Sequence, residues 1–403
     1  MRQLPEQAPA AGARRYDLDW LRVLAILAVF VFHSSRFFDI DDWHVKNTTT
    51  YLGVQVWTTF LSQWLMPLIF VISGASAFYA LGTRGAWRFA KDRALRLLVP
   101  LLAGIFTHVL VQVYLERVSH GQFHGSLFAF IPRYFDGMYA FGGNFAWMGL
   151  HLWYLEILFV FSLLLLPLFS WLKRGTGQRV AEALASFFAR PLALYLLALP
   201  IALLLTLLDP RSLLGNRGFG GWSLVIYILF FSYGFVLLTS SAVQLALARQ
   251  RWLSLTLGVV LFLTLAGLWV AWGDPAFASP RYVVIFMLLG ASAWCWVLVI
   301  LGFGARHLTM DSRMLRYANE AVLPFYVLHQ SVLIALGYFV VRWPLPALAK
   351  WLIIAPVSFV VIVALYELAV RRISVLRFLF GMKPLPRQLA PRAHKTPLGS
   401  ARR

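Results

Sequence analysis

The first long apolar stretch of the chain carries ionisable residues at helical spacing. Asp19, Arg22 and His33 occur between Leu18 and Phe38, and such residues inside a membrane span usually face a cavity or a partner. Eleven helical steps end about 20° from their start and rise by roughly 16 Å, so Arg22 and His33 share one face. Asp19 lies one turn before Arg22 and can pair with it. This stripe would link an anion site near one membrane surface to a deep titratable base. The alternative is an ion pair that anchors the helix end and a histidine bonded within the core.

Further ionisable residues lie inside other apolar stretches. His151 and Glu156 open the fourth stretch, and His329 lies in the middle of the ninth. A carboxylate close to an imidazole fixes its tautomer, so Glu156 is expected to orient His33 or to pair with another base. A purely structural role for these residues stays open. The histidines do not have the spacing of a zinc site, and the chain has no nucleophile elbow and no P-loop.

Five short motifs resemble a known family in the family's own order. They are Leu18-Asp19-Trp20-Leu21-Arg22 with His33 after ten further residues, Phe70-Val-Ile-Ser73-Gly74, Arg93-Ala-Leu-Arg96, His151-Leu-Trp153-Tyr-Leu155 and Tyr326-Val-Leu-His329-Gln330. Each motif is short, but together they cover residues 18 to 330. The chain is therefore similar to the membrane-bound acyltransferase family 3.

This resemblance implies a fold and an activity. The family has about ten transmembrane helices and transfers acyl groups to glycans and other extracytoplasmic acceptors. The segments around Trp43 and Trp153 are most similar to the branch that modifies periplasmic glucans. We therefore expect an O-acyltransferase that moves an acetyl or succinyl group from cytoplasmic acyl-CoA, with no tightly bound cofactor.

The resemblance also implies roles for the donor-side residues. Arg93 and Arg96 would hold the CoA phosphates, because arginine binds phosphate bidentately, and ordinary inner-loop charge is the alternative. Arg22 would contact the donor and, with Asp19, shape the channel. Ser73 would line that channel, unless the Ser-Gly pair serves only close helix packing.

His33 is the expected general base on the acceptor hydroxyl. A two-step route through an acyl-histidine is the alternative. The remaining motif residues and an outer polar cluster are expected to contact the acceptor: His151, Trp153, His329, Asp42 and Trp43.

Composition places these residues in a membrane. Hydrophobic residues make up 60% of the 403 residues and charged residues only 13%, whereas a soluble domain is nearer half apolar and a quarter charged. A soluble enzyme, a disordered chain, a coiled coil and a disulfide-stapled secreted domain are excluded. The predicted fold is all-α and polytopic. Its ten predicted spans are 18–38, 58–81, 97–118, 149–172, 191–208, 223–241, 252–273, 282–304, 318–341 and 347–370.

The basic residues predict an orientation. If both termini lie in the cytoplasm, 26 of the 36 lysines and arginines are cytoplasmic, nine are outside and Arg22 lies within the first span. The net charge of +20 thus reflects topology rather than nucleic-acid binding. Ten spans with short loops favour a bacterial inner membrane.

The chain divides into a cytoplasmic arm at 1–17, a membrane domain at 18–370 and a basic tail at 371–403. The tail is expected to be disordered and attracted to anionic lipid. A proton-coupled transporter or exporter of a glycan or small molecule is the alternative function, because deep histidines and carboxylates also suit proton relays. A membrane scaffold is a third. The acyl group, the acceptor and the oligomeric state stay open.

Overall fold

A computed structural model describes residues 14–82 and 85–384. Most of the predicted N-terminal arm and residues 385–403 of the predicted tail lie outside these described residues. Across the described ranges the fold is helical, and the only bridges are two isolated pairs in loops, Met138 with Phe145 and Phe219 with Trp222. The all-α class predicted from composition is confirmed.

The helices follow the order of the apolar stretches. They are α1 (Tyr16–Ser35), α2 (Leu52–Gly82), α3 (Ala86–Arg93), α4 (Val99–Ile105), α5 (His108–Ser119), α6 (Leu127–Arg133), α7 (Trp153–Leu164), α8 (Leu166–Leu172), α9 (Gly175–Phe188), α10 (Ala198–Leu207), α11 (Leu224–Leu237), α12 (Ser241–Trp272), α13 (Pro280–His307), α14 (Arg313–Val340), α15 (Ala347–Leu365) and α16 (Ser374–Leu379). Two π-helical segments, Ala94–Leu98 and Tyr366–Val370, join α3 to α4 and extend α15.

The number of spans differs from the ten predicted. Among the described residues, six helices are long and apolar enough to cross a membrane, or up to nine if three bent helix pairs each count as one span. The pairs bend by 41° around Thr107, by 56° at Leu165 and by 116° between α9 and α10. Pro167 at the start of α8 and Pro191 before α10 help to explain two of these breaks, because proline has no N–H for the helical ladder. Helix α11 has 14 residues and is shorter than a normal span.

Helices α1 and α14 pack side by side and run in the same direction. The Trp20 indole donates to the Met310 carbonyl, His33 contacts His329, and Phe37 packs where a Cβ on Gly337 would lie. The pairing therefore keeps the same order along both helices. We call the end of the bundle where α1 begins the near end, and the end where α1 stops at Ser35 the far end.

The first part of the predicted tail is folded. Residues 371–384 contain α16, and the buried Arg377 donates to the Glu320 carboxylate of α14 at 3.1 Å and to the backbone carbonyls of Arg371 and Lys383. The expectation of disorder is thus wrong for these residues, because several hydrogen bonds hold this arginine against the bundle.

Two glycines allow α2 and α11 to approach each other closely. A Cβ added to Gly234 would lie 1.8 Å from the Val71 carbonyl oxygen, and one added to Gly74 would lie 1.9 Å from the Phe231 carbonyl oxygen. Small residues allow membrane helices to approach this closely. The packing role considered for the Ser-Gly motif therefore applies to Gly74.

Replacing Gly234 by alanine should destabilise the protein. The added methyl group cannot fit against α2 without moving a backbone, a kind of overpacking that costs about 1–3 kcal/mol. We expect a lower unfolding temperature for Gly234→Ala in detergent, followed by tryptophan fluorescence. Gly267→Ala on α12 is the matched control, because a Cβ there meets no atom within 4 Å. Equal unfolding temperatures for the two variants would contradict the close contact.

Candidate functional site

His33 meets a second histidine at the far end of the bundle. Its Nδ1 lies 2.9 Å from Nε2 of His329, and Nδ1 of His329 lies 2.5 Å from the Tyr326 carbonyl oxygen. His329 is fully buried, whereas His33 is only partly buried. Helices α1 and α14 bring the two residues together across 296 positions of sequence.

These contacts determine where the hydrogens lie on both imidazoles. A carbonyl oxygen only accepts, so Nδ1 of His329 carries a hydrogen and, in the neutral ring, Nε2 is an acceptor. His33 must then donate from its Nδ1. The neutral His33 ring therefore keeps its lone pair on Nε2, which is the arrangement that a general base requires.

A buried polar network lies beside this pair. His151 donates from Nε2 to the Val327 carbonyl at 3.1 Å and accepts at Nδ1 from Gln112 at 3.4 Å. The Gln112 amide also donates to the Ser331 hydroxyl, which shares a hydrogen bond with Nδ1 of His108; both distances are 2.6 Å. Because polar groups inside a membrane protein are costly unless paired, this network fixes α5, the start of α7 and α14 relative to one another.

A second chain of bonds leads from this network to the loop above His33. Gln330 donates both to Gln112 and to Nε2 of His44, each at 3.1 Å, and Nδ1 of His44 contacts the Glu116 carboxylate. Tyr139 donates to the same carboxylate, and burial together with that carboxylate raises the pKa of Tyr139. The tyrosine therefore stays protonated and holds Glu116 in place.

The loop carries Trp43 beside the His33 ring. The Trp43 ring stacks parallel to the His33 ring at 8° with centroids 6.2 Å apart. It also meets Phe37 edge-on at 4.7 Å and packs beside His44 at 5.5 Å. The adjacent Asp42 is exposed, and its carboxylate accepts from the backbone N–H of Trp43. Of the two residues predicted at the outer side, Trp43 therefore packs beside His33, and Asp42 is its exposed neighbour.

The near end of α1 carries the ion pair expected from the sequence. Arg22 donates to the Asp19 carboxylate at 3.2 Å and to the Ser76 hydroxyl of α2 at 2.7 Å. The other Asp19 oxygen accepts from Arg14. Helix α1 is unbroken, so Arg22 and His33 lie on one side of it, as their spacing predicts.

Arg93 belongs to the same near-end cluster. It ends α3, packs over the Phe89 ring at 5.0 Å, and its charge is disfavoured by those of Arg96 and Arg22. The π-helical segment begins at the next residue and contains Arg96, which is exposed. Single π-helical turns inside α-helices are frequently found at functional sites, and here one begins directly after Arg93 and contains Arg96.

Tyr154 and Ser73 lie between the two clusters. Their hydroxyls are 2.6 Å apart, and the Tyr154 ring packs against Tyr326 with centroids 5.9 Å apart. Tyr326 is one turn closer to the near end than His329, and Ser76 is one turn closer to it than Ser73. Polar side chains therefore occur at every turn from the base at the far end to the arginines at the near end.

Two of the predicted residues lie away from this path. Glu156 follows Tyr154 by two positions, about 200° around α7, so it faces the other side, and its buried Oε2 has no hydrogen-bond partner among the described residues. The orienting partner of His33 is His329 rather than Glu156. Trp153 packs in an aromatic cluster with Phe219 and Tyr227, at 5.4 and 5.7 Å, rather than at an open surface.

Two predicted acceptor contacts are instead part of the scaffold. His151 and His329 are buried, and both ring nitrogens of each are already bonded. Sequence reasoning assigned no role to three polar residues that join these histidines to the rest of the network: Gln112, Glu116 and Ser331. The available signal was the presence of two polar pairs inside apolar stretches. Gln112 and Glu116 lie one turn apart in one stretch, and Gln330 and Ser331 are adjacent in another.

Comparison with known proteins identifies the family. A profile of the acyltransferase 3 family, described as an acyltransferase domain, matches residues 15–367. That range includes every residue of the two clusters except Arg14. The chain belongs to the acyltransferase 3 family.

Curated relatives of this acyltransferase carry a glucan-related name. The proteins called glucans biosynthesis protein C from Salmonella paratyphi B, Salmonella enteritidis and Salmonella paratyphi A are each 25% identical to it over 388 residues. Each alignment covers 93% of this chain and 96% of the relative. No solved structure matches the chain significantly.

Removing the acceptor of the His33 hydrogen bond should slow acyl transfer. In His329→Ala, His33 can place its hydrogen on either nitrogen, so we expect kcat to fall by about 10²-fold with a stable fold. Measurement of kcat and KM for purified protein in nanodiscs checks this.

His329→Gln is the matched variant for this prediction. A glutamine amide can offer His33 an oxygen acceptor and still donate to the Tyr326 carbonyl, so part of the activity should return. A purely space-filling role for His329 predicts instead that Gln and Ala variants behave alike.

Proposed function

We propose that this acyltransferase moves an acyl group from acyl-CoA at the cytoplasmic face of the inner membrane to a hydroxyl of a glucan on the outer side, with His33 as general base. One observation carries the proposal. A half-buried imidazole whose Nε2 lone pair is fixed by His329 lies at one end of a polar path that begins at Arg22 and Arg93.

The charge distribution supports the orientation. Six continuous helices and three bent pairs account for up to nine spans, and if the short helix α11 also crosses, the even number of ten leaves both termini on one side. The excess of lysine and arginine in the loops of that side assigns it to the cytoplasm. The near end is then cytoplasmic, and Trp43 faces the outer side.

The near-end arginines suit a phosphate-bearing donor. Arg22 and Arg93 carry like charges that disfavour each other at the near end. A diphosphate placed between them would relieve this repulsion and offer oxygens to both guanidinium groups. Arg96, exposed at the same mouth, would contact the nucleotide end of CoA.

Transfer then proceeds as an attack of the acceptor hydroxyl on the thioester. The hydroxyl oxygen forms a bond to the thioester carbonyl carbon while its proton passes to Nε2 of His33. The C–S bond breaks, the CoA thiolate takes the proton from His33, and the ester and free CoA leave. As its charge develops, His33⁺ is stabilised through Nδ1–H by the lone pair on Nε2 of His329.

The acceptor assignment rests on the outer mouth and on the relatives. Trp43 offers an aromatic ring beside His33 and the adjacent Asp42 an exposed carboxylate, and both kinds of group suit contacts with a sugar. The name of the Salmonella relatives places those proteins in glucan biosynthesis. An acetyl or a succinyl group is transferred.

Removal of the base should abolish transfer. We expect His33→Ala to lower kcat by about 10²–10⁴-fold while membrane insertion and expression are retained. Radiolabelled acyl-CoAs and an added glucan, with protein in nanodiscs, provide the assay. His120→Ala, an exposed loop histidine, is the matched control and should keep full activity.

Full activity of His33→Ala would exclude the mechanism. Intact-mass analysis of native protein incubated with donor alone separates the two chemical routes. An added acyl mass that is absent in His33→Ala would replace direct transfer by an acyl-histidine intermediate.

Loss of Arg93 should weaken donor binding selectively. We expect Arg93→Ala to raise the KM for acyl-CoA by about tenfold, because charge-assisted hydrogen bonds to a phosphate are lost, and to leave the acceptor KM unchanged. Arg88→Ala, exposed on the same helix, is the control with an unchanged KM. Equal effects of Arg93→Ala on donor and acceptor would contradict the donor site.

A further inference from the structure

Asn319 is a buried amide on α14 that the mechanism above does not use. Both of its side-chain polar atoms, Oδ1 and Nδ2, are shielded from solvent and have no hydrogen-bond partner in the described part of the chain. Native proteins pair nearly all buried polar groups, because an unpaired one costs free energy. An amide with both atoms unpaired therefore calls for a missing partner.

The direction of Asn319 follows from the helix on which it lies. Tyr326 is seven residues further along α14 and Gln330 is eleven, so both lie within about 20° of Asn319 around the helix axis. The Tyr326 hydroxyl bonds the His151 carbonyl, and Gln330 bonds Gln112 and His44. Asn319 thus shares the face of α14 that carries polar groups into the interior of the bundle.

The depth of Asn319 follows from the parallel packing of α1 and α14. His33 and His329 contact each other. Asn319 is ten residues before His329 on α14, and Arg22 is eleven residues before His33 on α1. At 1.5 Å per residue both lie roughly 15–16 Å towards the near end from the histidine pair. Asn319 is therefore at the depth of Arg22.

The neighbours of Asn319 on α14 also lie at the near end. Leu323, one turn from Asn319, contacts Gly381, and Gly381 lies against the backbone carbonyl of Arg96. The adjacent Glu320 is bound by Arg377 of α16. Arg96 of the arginine motif, α16 and the turn of α14 that carries Asn319 hence lie together at the near end.

The chemistry of the amide selects its partner. Nδ2 donates and Oδ1 accepts, so a group that both accepts and donates satisfies both atoms. A phosphate only accepts and would leave Oδ1 unpaired. A secondary amide pairs with both atoms in the manner of two peptide groups, and the pantetheine arm of CoA contains two such amides.

We propose that Asn319 hydrogen-bonds an amide of the pantetheine arm where the donor passes the near-end arginines. This rests on the proposed function, since it takes acyl-CoA as the donor. Asn319 is then a positioning residue that recognises the arm itself, whereas Arg93 recognises the phosphates. The two roles separate when the donor lacks phosphates.

The test compares two donors on native protein, Asn319→Leu and Arg93→Ala. The donors are acyl-CoA and acyl-pantetheine, which retains both amides but has no diphosphate or nucleotide. We expect Asn319→Leu to raise the KM of both donors by about five- to tenfold and to leave the acceptor KM unchanged. Arg93→Ala should raise the KM of acyl-CoA alone.

A second measurement alters the donor instead of the protein. In acyl-pantetheine analogues, each amide nitrogen in turn is replaced by an ester oxygen, which removes the N–H that Oδ1 would accept. Native protein should show a KM raised about fivefold with one analogue, and Asn319→Leu should show no further loss with it. The measurement on native protein with the ester analogues tests the proposal even if Asn319→Leu does not fold.

The outcomes distinguish the two proposals. An unchanged donor KM in Asn319→Leu, or native protein that is indifferent to both ester analogues, means that Asn319 binds only water or is structural, and overturns this inference. Failure of native protein to use either donor overturns the proposed function itself.

Discussion

The hydrogen bond from Nδ1 of His329 to the Tyr326 carbonyl determines which nitrogen of His33 carries the lone pair at the far end of the bundle. Because a carbonyl has no hydrogen to give, this one contact assigns the hydrogen on His329, then the hydrogen on His33, and leaves Nε2 of His33 as the lone-pair nitrogen. The acceptor is part of a helix backbone, so it cannot rotate away. A side-chain amide in the same place could present either its oxygen or its nitrogen.

The rest of the polar interior keeps that helix backbone in register. His151 bonds the Val327 carbonyl, one residue on from Tyr326, and the Tyr326 hydroxyl bonds the His151 carbonyl. Gln112 and Gln330 extend these contacts to α5 and to the loop that carries Trp43. Inside a membrane, each unpaired polar group would be costly, so these groups hold one another in a single arrangement.

Irregular backbone lies where the chemistry is proposed. The π-helical segment between Arg93 and α4, the break at Thr107 before His108, and the short helical turn that carries His151 all line the polar interior. Non-regular backbone at membrane depth is tolerated when it is enclosed by protein. The long continuous helices α12 and α13 pack on each other outside this region and contain few polar residues in their middle turns.

The sequence by itself determined the membrane class, the helical fold, the pairing of Asp19 with Arg22, and the common side of Arg22 and His33, because all of these follow from composition or from spacing within one helix. It also carried the motifs by which the acyltransferase family is recognised. The tertiary structure alone decided that His329 orients His33, that Glu156 faces away, and that Trp153 packs in the core. Those outcomes depend on which helices are neighbours and how they are rotated, and Arg22 illustrates the limit: its spacing places it beside Asp19, but only the packing of α1 on α2 brings it to Ser76. Spacing along one helix is set by local geometry, whereas contacts across hundreds of residues are set by the packing of the whole bundle.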